Sequence, residues 1–465
     1  MLKNQLNTIK QTLQNTPLVL VLLVMLSFFL SFDRVPTLEL AGLSLKISTF
    51  FGVGVILCAL QKLITKPGVS AKKLSPFRLL GVWIIWTALG VVWARDVTLF
   101  AKSFLPLVFL MVLSAAIVVV WEKRFLRPVL AGLFVGTVIA LVFGVFQFVG
   151  NFMGLPDAVT LIRPEYSWQG FGFPRVHSFS LEPLYFAGFL ILPITLLLSG
   201  LVTKNLKPRW YMFVLLMGSA SMLVATLSRG GILALFLAVA VQAVVLRKQL
   251  LNLVSWRLVA FVFSGALISV ALLVVAFAVF NKQGNDSDLT YGTRGVSTVI
   301  SHLANTRLTA NKANKDKDDS IAQRDTARLQ GYDLATSTTA LFVRGTGIGQ
   351  YTILATEKYG ATYKGEPNNL IVEQLAQGGV IGLTLLSLFF LSILRLLYRS
   401  RSNWVSVALL SYVIAILLQA QSFHGLLITH FWAALGIGLA VTVSSSTENR
   451  RGSSTASAKR LRTSD

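Results

Sequence analysis

Twelve apolar runs of membrane-spanning or near-spanning length dominate this sequence and constrain its fold more than any other feature. They fall at about Pro17–Phe32, Ile47–Ile64, Phe77–Ala94, Phe100–Trp121, Val129–Phe152, Pro183–Val202, Trp210–Ser228, Gly230–Leu246, Leu258–Phe280, Leu370–Leu397, Val405–Gln419 and Leu426–Val443. In hydrocarbon every backbone polar group must be satisfied within the segment, so runs of about 20 residues cross as helices. Composition agrees, with 54% hydrophobic and 13% charged residues in 465 and a mean hydropathy of +0.69. Soluble chains carry about 25% charge. The chain therefore reads as an all-α polytopic integral membrane protein of about 12 transmembrane helices, with a large, partly helical outer loop between spans 9 and 10. No small-residue cleavage site follows the first run, so it is expected to stay as a helix.

A net charge of +23 first suggests a nucleic-acid partner, but its distribution speaks for topology. With the N-terminus inside, cytoplasmic segments hold 24 of the 42 basic residues, and the short outer loops hold seven. The rest lie in one long outer loop, where the positive-inside rule does not apply. Both termini are expected in the cytoplasm and nucleic acid is not an expected partner. The resulting organisation is a membrane domain at 1–280 with a shorter outer loop at 154–182, a large outer loop at 281–368, three spans at 369–443 and a disordered cytoplasmic tail at 444–465. Within the large loop, Asn311–Ser320 reads as a solvated tip and Ile321–Leu341 as a helix or helix pair. Cys58 is the only cysteine, and the four histidines lack ligand spacing, so no metal site or cofactor is expected.

Charges near the outer face are few, which makes each informative. Thr226–Leu233 (TLSRGGIL) leaves too little chain for a loop, so Gly230 and Gly231 are expected to make the turn and hold Arg229 at the boundary. There Arg229 reads either as an interfacial cation that snorkels to headgroups or as a fixed guanidinium gripping a phosphate by two hydrogen bonds. Arg175, His177 and Glu182 precede the span that Pro183 opens; Glu182 reads as helix-dipole grammar or as a reactive carboxylate, and His177 as a loop residue or a proton carrier. Arg324 and Arg328 share one helix face, and Arg344 leads into Gly345-Thr-Gly347-Ile-Gly349, a turn that offers backbone amides to a phosphate or is a turn and no more. Asn368 and Asn369 open the tenth span, in which Glu373, one turn in, needs a partner or a water-filled cavity.

Four elements in order resemble the O-antigen ligase and O-antigen polymerase superfamily of bacterial envelope glycosyltransferases. They are Arg175 with Glu182-Pro183; Ser228-Arg229-Gly230 with Leu233; Arg328 running into Gly345 and Gly347; and Asn368-Asn369 with Gly379 and Gly382. The resemblance covers roughly residues 170–385. It implies a glycan donor on undecaprenyl pyrophosphate, a sugar acceptor, membrane lipids as surroundings, and metal-independent chemistry at the outer face of the bacterial cytoplasmic membrane. Arg175, Arg229, Arg328 and Arg344 then bind pyrophosphate; Ser228, Gly230, Gly345, Gly347, Asn369 and Gly379 support them. Ligases carry a histidine where this chain has Asn368, and asparagine cannot take a proton at neutral pH. The reading therefore shifts toward polymerisation of repeat units, with Glu182 or His177 as base beside Asn368. Ligase activity is the alternative, and a polysaccharide or lipid transporter the second.

Overall fold

The computed structural model describes residues 17–34, 37–40, 43–66, 73–167, 174–250, 319–423 and 426–444, and a few positions between 260 and 267. Eleven of the twelve apolar runs coincide with apolar helices. Six are long and apolar enough to cross a membrane and five are shorter, by length and composition. The ninth run, Leu258–Phe280, lies almost wholly outside the described residues, as do residues 311–318 of the polar tip and the tail beyond 444.

We label the helices α1 (Leu18–Phe28), α2 (Ile47–Thr65), α3 (Arg78–Leu89), α4 (Val97–Val120), α5 (Leu126–Phe152), α6 (Pro183–Val202), α7 (Trp210–Ala225) and α8 (Arg229–Val245). After the undescribed segment come α9 (Asp319–Thr336), α10 (Thr339–Arg344), α11 (Tyr351–Tyr359), α12 (Leu370–Arg399), α13 (Trp404–Gln419) and α14 (Thr429–Ser444). One addition to the all-helical expectation is a small antiparallel ribbon, β1 (Thr37–Leu40) and β2 (Leu43–Lys46), pairing Thr37 with Lys46 and Leu40 with Leu43. It follows α1, where Lys46 pairs with Asp33 at 2.8 Å.

At the centre stands α6, buried without a break from Phe186 to Val202 and packed by α7, α8 and α13. Peripheral helices expose large apolar side chains such as Phe50, Leu57 and Ile64 on α2 and Val82 and Ile85 on α3, a surface suited to lipid. Small residues set the close contacts. A Cβ at Gly136 would lie 2.2 Å from the Phe28 carbonyl oxygen, and one at Gly132 would lie 2.8 Å from Ser27 Oγ, so α5 and α1 pack backbone to backbone.

The large loop contributes a second, smaller core of Leu334, Ala335, Tyr351, Ala355, Leu375 and Ala376. The expected helix pair is present as α9 and α10, separated at Ser337–Thr338, where Thr338 Oγ1 caps α10 by accepting from Leu341 N. The loop docks on α12: a Cβ at Gly331 would meet Pro367 and Val372 under 3.0 Å.

Candidate functional site

The segment before α6 is threaded into the helices by its polar groups. Gln147, buried inside α5, accepts through Oε1 from the N–H groups of both His177 and Ser178 at 2.9 Å. Ser178, left-handed at φ 51°, donates its hydroxyl to the Ala140 carbonyl. His177 is fully buried; Nδ1 lies 2.9 Å from the Ser180 carbonyl, and Nε2 accepts from Arg163 N–H at 3.3 Å. A carbonyl partner makes Nδ1 the donor, so the ring is neutral with Nε2 as acceptor. Burial, with Arg34 and Arg163 nearby, lowers its pKa to about 4.

This bracket delivers Arg175. Its guanidinium lies over the Tyr166 ring, 5.4 Å from the centroid, and its Nε donates to the Thr226 carbonyl at 3.4 Å. Thr226 belongs to the turn that leads into α8, so Arg175 is docked beside Arg229. Desolvation holds the Arg175 pKa down at about 10, and Arg324 and Arg229 push the same way while Tyr166 and Glu182 oppose them. Arg324, Arg229 and Glu182 all lie within electrostatic reach of Arg175, so cations outnumber the carboxylate around it, a field that favours an anion.

The turn itself differs from the glycine hairpin expected. The chain reverses at Thr226–Ser228, with Leu227 left-handed at φ 50°. Ser228 Oγ accepts from Gly231 N–H at 3.1 Å, and Arg229, Gly230 and Gly231 form the first turn of α8. Gly231 serves packing, since a Cβ there would sit 2.5 Å from the Cβ of Ala187 on α6. The hydroxyl cap starts the helix and the missing side chain brings it against α6.

Three helix N-termini meet at this place: α6 behind Glu182, α8 behind Ser228 and α12 behind Asn369. Leu370 N–H donates to the Ala420 carbonyl at 2.9 Å and Gln419 Nε2 to the Leu184 carbonyl at 2.9 Å, tying the starts of α12 and α6 to the end of α13. A Cβ on Gly230 would touch Ser422 at 3.4 Å and Leu184 at 3.7 Å, which places α8 beside them. Each N-terminus carries roughly half a positive charge. Asn369 Oδ1 accepts from the N–H groups of Ile371 and Val372, so Asn369 is a cap. Glu182, half-buried, makes no capping hydrogen bond. Glu373, one turn into α12 and 5% exposed, accepts from Gln377 Nε2 at 3.5 Å. Tyr185 lies within electrostatic reach of Glu182, Glu373, Asp33 and Tyr166.

The remaining expected residues are spread more widely. Arg328 pairs with Asp325 on its own helix at 3.4 Å, whereas Arg324, one turn earlier, lies in the field of Arg175. Asn368 Nδ2 donates to the Glu366 carbonyl at 3.3 Å. Arg344 stacks over Trp93, 5.2 Å from the ring centroid, beside the turn between α3 and α4.

The glycine-rich turn is a correction to the phosphate-cradle expectation. Its first amides are spent: Gly345 N–H donates to Leu341 O, Thr346 to Ala376 O at 2.8 Å and Gly347 to Gln377 O at 2.9 Å. The last two carbonyls are freed because α12 breaks at Gly379 (φ 65°, ψ −173°), and Trp86 Nε1 takes the Gly378 carbonyl at 2.9 Å. Gly345 and Gly379 allow the approach, since a Cβ at either would fall 2.2–2.4 Å from the facing backbone. The motif clamps the outer loop onto a kinked helix. Gln350 extends the clamp: its Oε1 accepts from Arg95 and Asp96 N–H and its Nε2 donates to Asp96 O, all at 2.9 Å.

Sequence reasoning did not single out Gln147, Tyr166, Tyr185 or Gln350, and it noted Arg324 without assigning it to the site. The uncharged glutamine at 147 within an apolar run was the one available signal.

Together, the helices form a membrane protein with an outer loop of short helices docked on it and arginines placed near converging helix starts. Residues 212–387 match the family model described as O-antigen ligase. That span runs from α7 through the kink of α12 and includes Arg229, Arg324 and the glycine clamp; Arg175 and Glu182 lie just before it. The match supports the O-antigen ligase and polymerase superfamily and a glycosyltransferase function of that type. A search of curated proteins finds no match.

Proposed function

We propose that this protein transfers a glycan from undecaprenyl pyrophosphate to a sugar hydroxyl at the outer face of the bacterial cytoplasmic membrane, extending a polysaccharide by repeat units. The observation that carries the reading is the docking of Arg175 on the Thr226 turn that leads to Arg229, where α6, α8 and α12 begin behind Glu182, Ser228 and Asn369. Attack of the acceptor oxygen on the anomeric carbon breaks its bond to the pyrophosphate, and negative charge grows on the leaving oxygens. Preorganised guanidinium groups and helix N-termini stabilise that charge most as it develops; one such donor is typically worth about 10²–10³ in rate. This placement of cations supports a metal-independent transfer. In this reading Arg328 and Arg344, on the outer loop, also bind the pyrophosphate.

The acceptor proton goes to Glu182, whose carboxylate has no capping bond to give up. His177 positions Arg175, because both its ring nitrogens are engaged in the bracket. Asn368 orients a hydroxyl and takes no proton, which favours polymerisation over ligation. In this reading the outer loop faces away from the cytoplasm and both termini face it, as the basic residues indicate.

Transport is a second reading, favoured by the broken helix α12, since discontinuous helices line transporter sites. Here the carbonyls freed at the break are taken by Thr346, Gly347 and Trp86, which leaves them unavailable to an ion. The discriminating experiment supplies purified protein with lipid-linked repeat unit, with and without a lipid-linked acceptor. A product ladder without added acceptor supports the polymerase; one capped product formed only with acceptor means ligase; movement of intact substrate across a vesicle means transport.

A further inference from the structure

On the face opposite the candidate site, three turns and the end of α14 enclose a cleft of about 410 Å³. Ligand pockets run to roughly 300–1,000 Å³. Its walls include Trp121 and Lys123 from the turn between α4 and α5, Asn205 from the turn between α6 and α7, and Ser402, Asn403 and Trp404 from the turn between α12 and α13. Trp121 ends α4 and Trp404 begins α13, so both indoles stand where helices leave the membrane, the depth of phospholipid headgroups. Trp121 is 2% exposed, and its indole N–H has no acceptor among the described residues. Asn205 Nδ2 is held by Thr203 O and Oγ1, which fixes the carboxamide in the wall.

The charge around this cleft has one sign. Residues 121–127, 203–209 and 398–404 carry eight basic side chains and a single acid, Glu122, which is paired with Arg124 at 2.8 Å. A topological bias needs positive charge at this face but needs no cavity. A cleft with indole and hydroxyl donors, fixed carboxamides, a lysine and a cationic rim has the chemistry of a site for a phosphate that bears hydroxyl groups.

We propose that this cleft binds the headgroup of an anionic glycerophospholipid from the adjacent leaflet, its phosphate at Lys123 and its glycerol hydroxyls against Asn205 and Ser402. The site is separate from the glycosyl-transfer site and does not depend on it.

The test is native mass spectrometry of the full-length protein in detergent, titrated with phosphatidylglycerol, phosphatidylcholine or soluble glycerol phosphate. Wild type is expected to retain at least one phosphatidylglycerol beyond the number of phosphatidylcholines retained at equal concentration, and to show no saturable binding of glycerol phosphate. Lys123 is exposed, so Lys123→Gln is expected to fold; it should weaken this binding about fivefold, the equivalent of roughly 1 kcal/mol per lysine near an anionic headgroup. Lys123→Glu should abolish it. Equal retention of the two lipids, or unchanged phosphatidylglycerol binding in Lys123→Glu, overturns the proposal. Saturable glycerol phosphate binding lost in Lys123→Glu overturns the lipid as the source and leaves a site for a free phosphate.

Discussion

Replacing Arg175 by lysine separates charge from geometry at the candidate site. The surroundings of Arg175 bring its pKa from 12.5 to about 10, through desolvation and the neighbouring Arg324 and Arg229. The same surroundings push a lysine, whose ordinary value is about 10.4, downward as well, so it loses its charge at lower pH than the arginine does. Arg175→Lys should therefore lose at least about tenfold in kcat/KM at pH 7 through the missing planar fork, and lose more as pH rises toward 9 while the wild type keeps its charge. Folding stability should move the other way. Below its ordinary pKa of about 10.4 the unfolded chain holds the lysine proton more tightly than the folded one, so the stability of the variant rises with pH through the alkaline range. The assay is repeat-unit polymerisation in proteoliposomes from pH 6.5 to 9.5, with thermal unfolding of the same samples. A variant whose kcat/KM follows the wild-type pH profile would refute the claim that a desolvated cation at this position acts on the substrate.

Three further outcomes are expected. Glu182→Gln should lower kcat by about 10²–10⁴, the usual contribution of a general base, and an effect below about tenfold removes Glu182 as proton acceptor. Gly379→Ala puts a side chain at φ 65° and a Cβ 2.2 Å from the Val343 carbonyl oxygen; it should cost at least about 2 kcal/mol by thermal unfolding and release the Gly345–Gly347 clamp, while a neutral result refutes the clamp. His177, with a pKa lowered to about 4, contributes stability that is complete above pH 6.5 and lost as pH falls toward 4. That component, up to roughly 3 kcal/mol, should vanish in His177→Ala, and its persistence there would assign it to another group.

The spans were legible because an apolar run of this length has few structural options in lipid, and eleven of the twelve appear as helices within a few residues of where hydropathy puts them. Less was legible at the turns. Gly230-Gly231 looked like the reversal, yet the left-handed residue is Leu227, and Gly231 serves the contact with Ala187. Both arrangements ask for small residues, so composition could not separate them. The Gly345–Gly349 motif has the same ambiguity: glycines let backbone approach backbone whether the partner is a phosphate or a carbonyl, and the partner here is the break in α12. Arg324 and Arg328 share a face, but only tertiary packing decides which one reaches Arg175. The cap at Asn369 and the opening of α6 at Pro183 followed from local grammar that tertiary structure left intact.

Direct binding tests whether a pyrophosphate is held where α6, α8 and α12 begin. Purified wild-type protein and Arg229→Lys should be titrated with a short-chain polyprenyl pyrophosphate, the corresponding monophosphate and the free alcohol, by microscale thermophoresis in one detergent. Binding should be strongest for the pyrophosphate and should weaken at least tenfold in Arg229→Lys, because a lysine keeps the charge but loses the two parallel hydrogen bonds. The alcohol should bind both proteins alike. Equal pyrophosphate affinity in the two proteins, or equal affinity of wild type for the pyrophosphate and the alcohol, would contradict the account and leave Arg229 as a membrane-surface anchor.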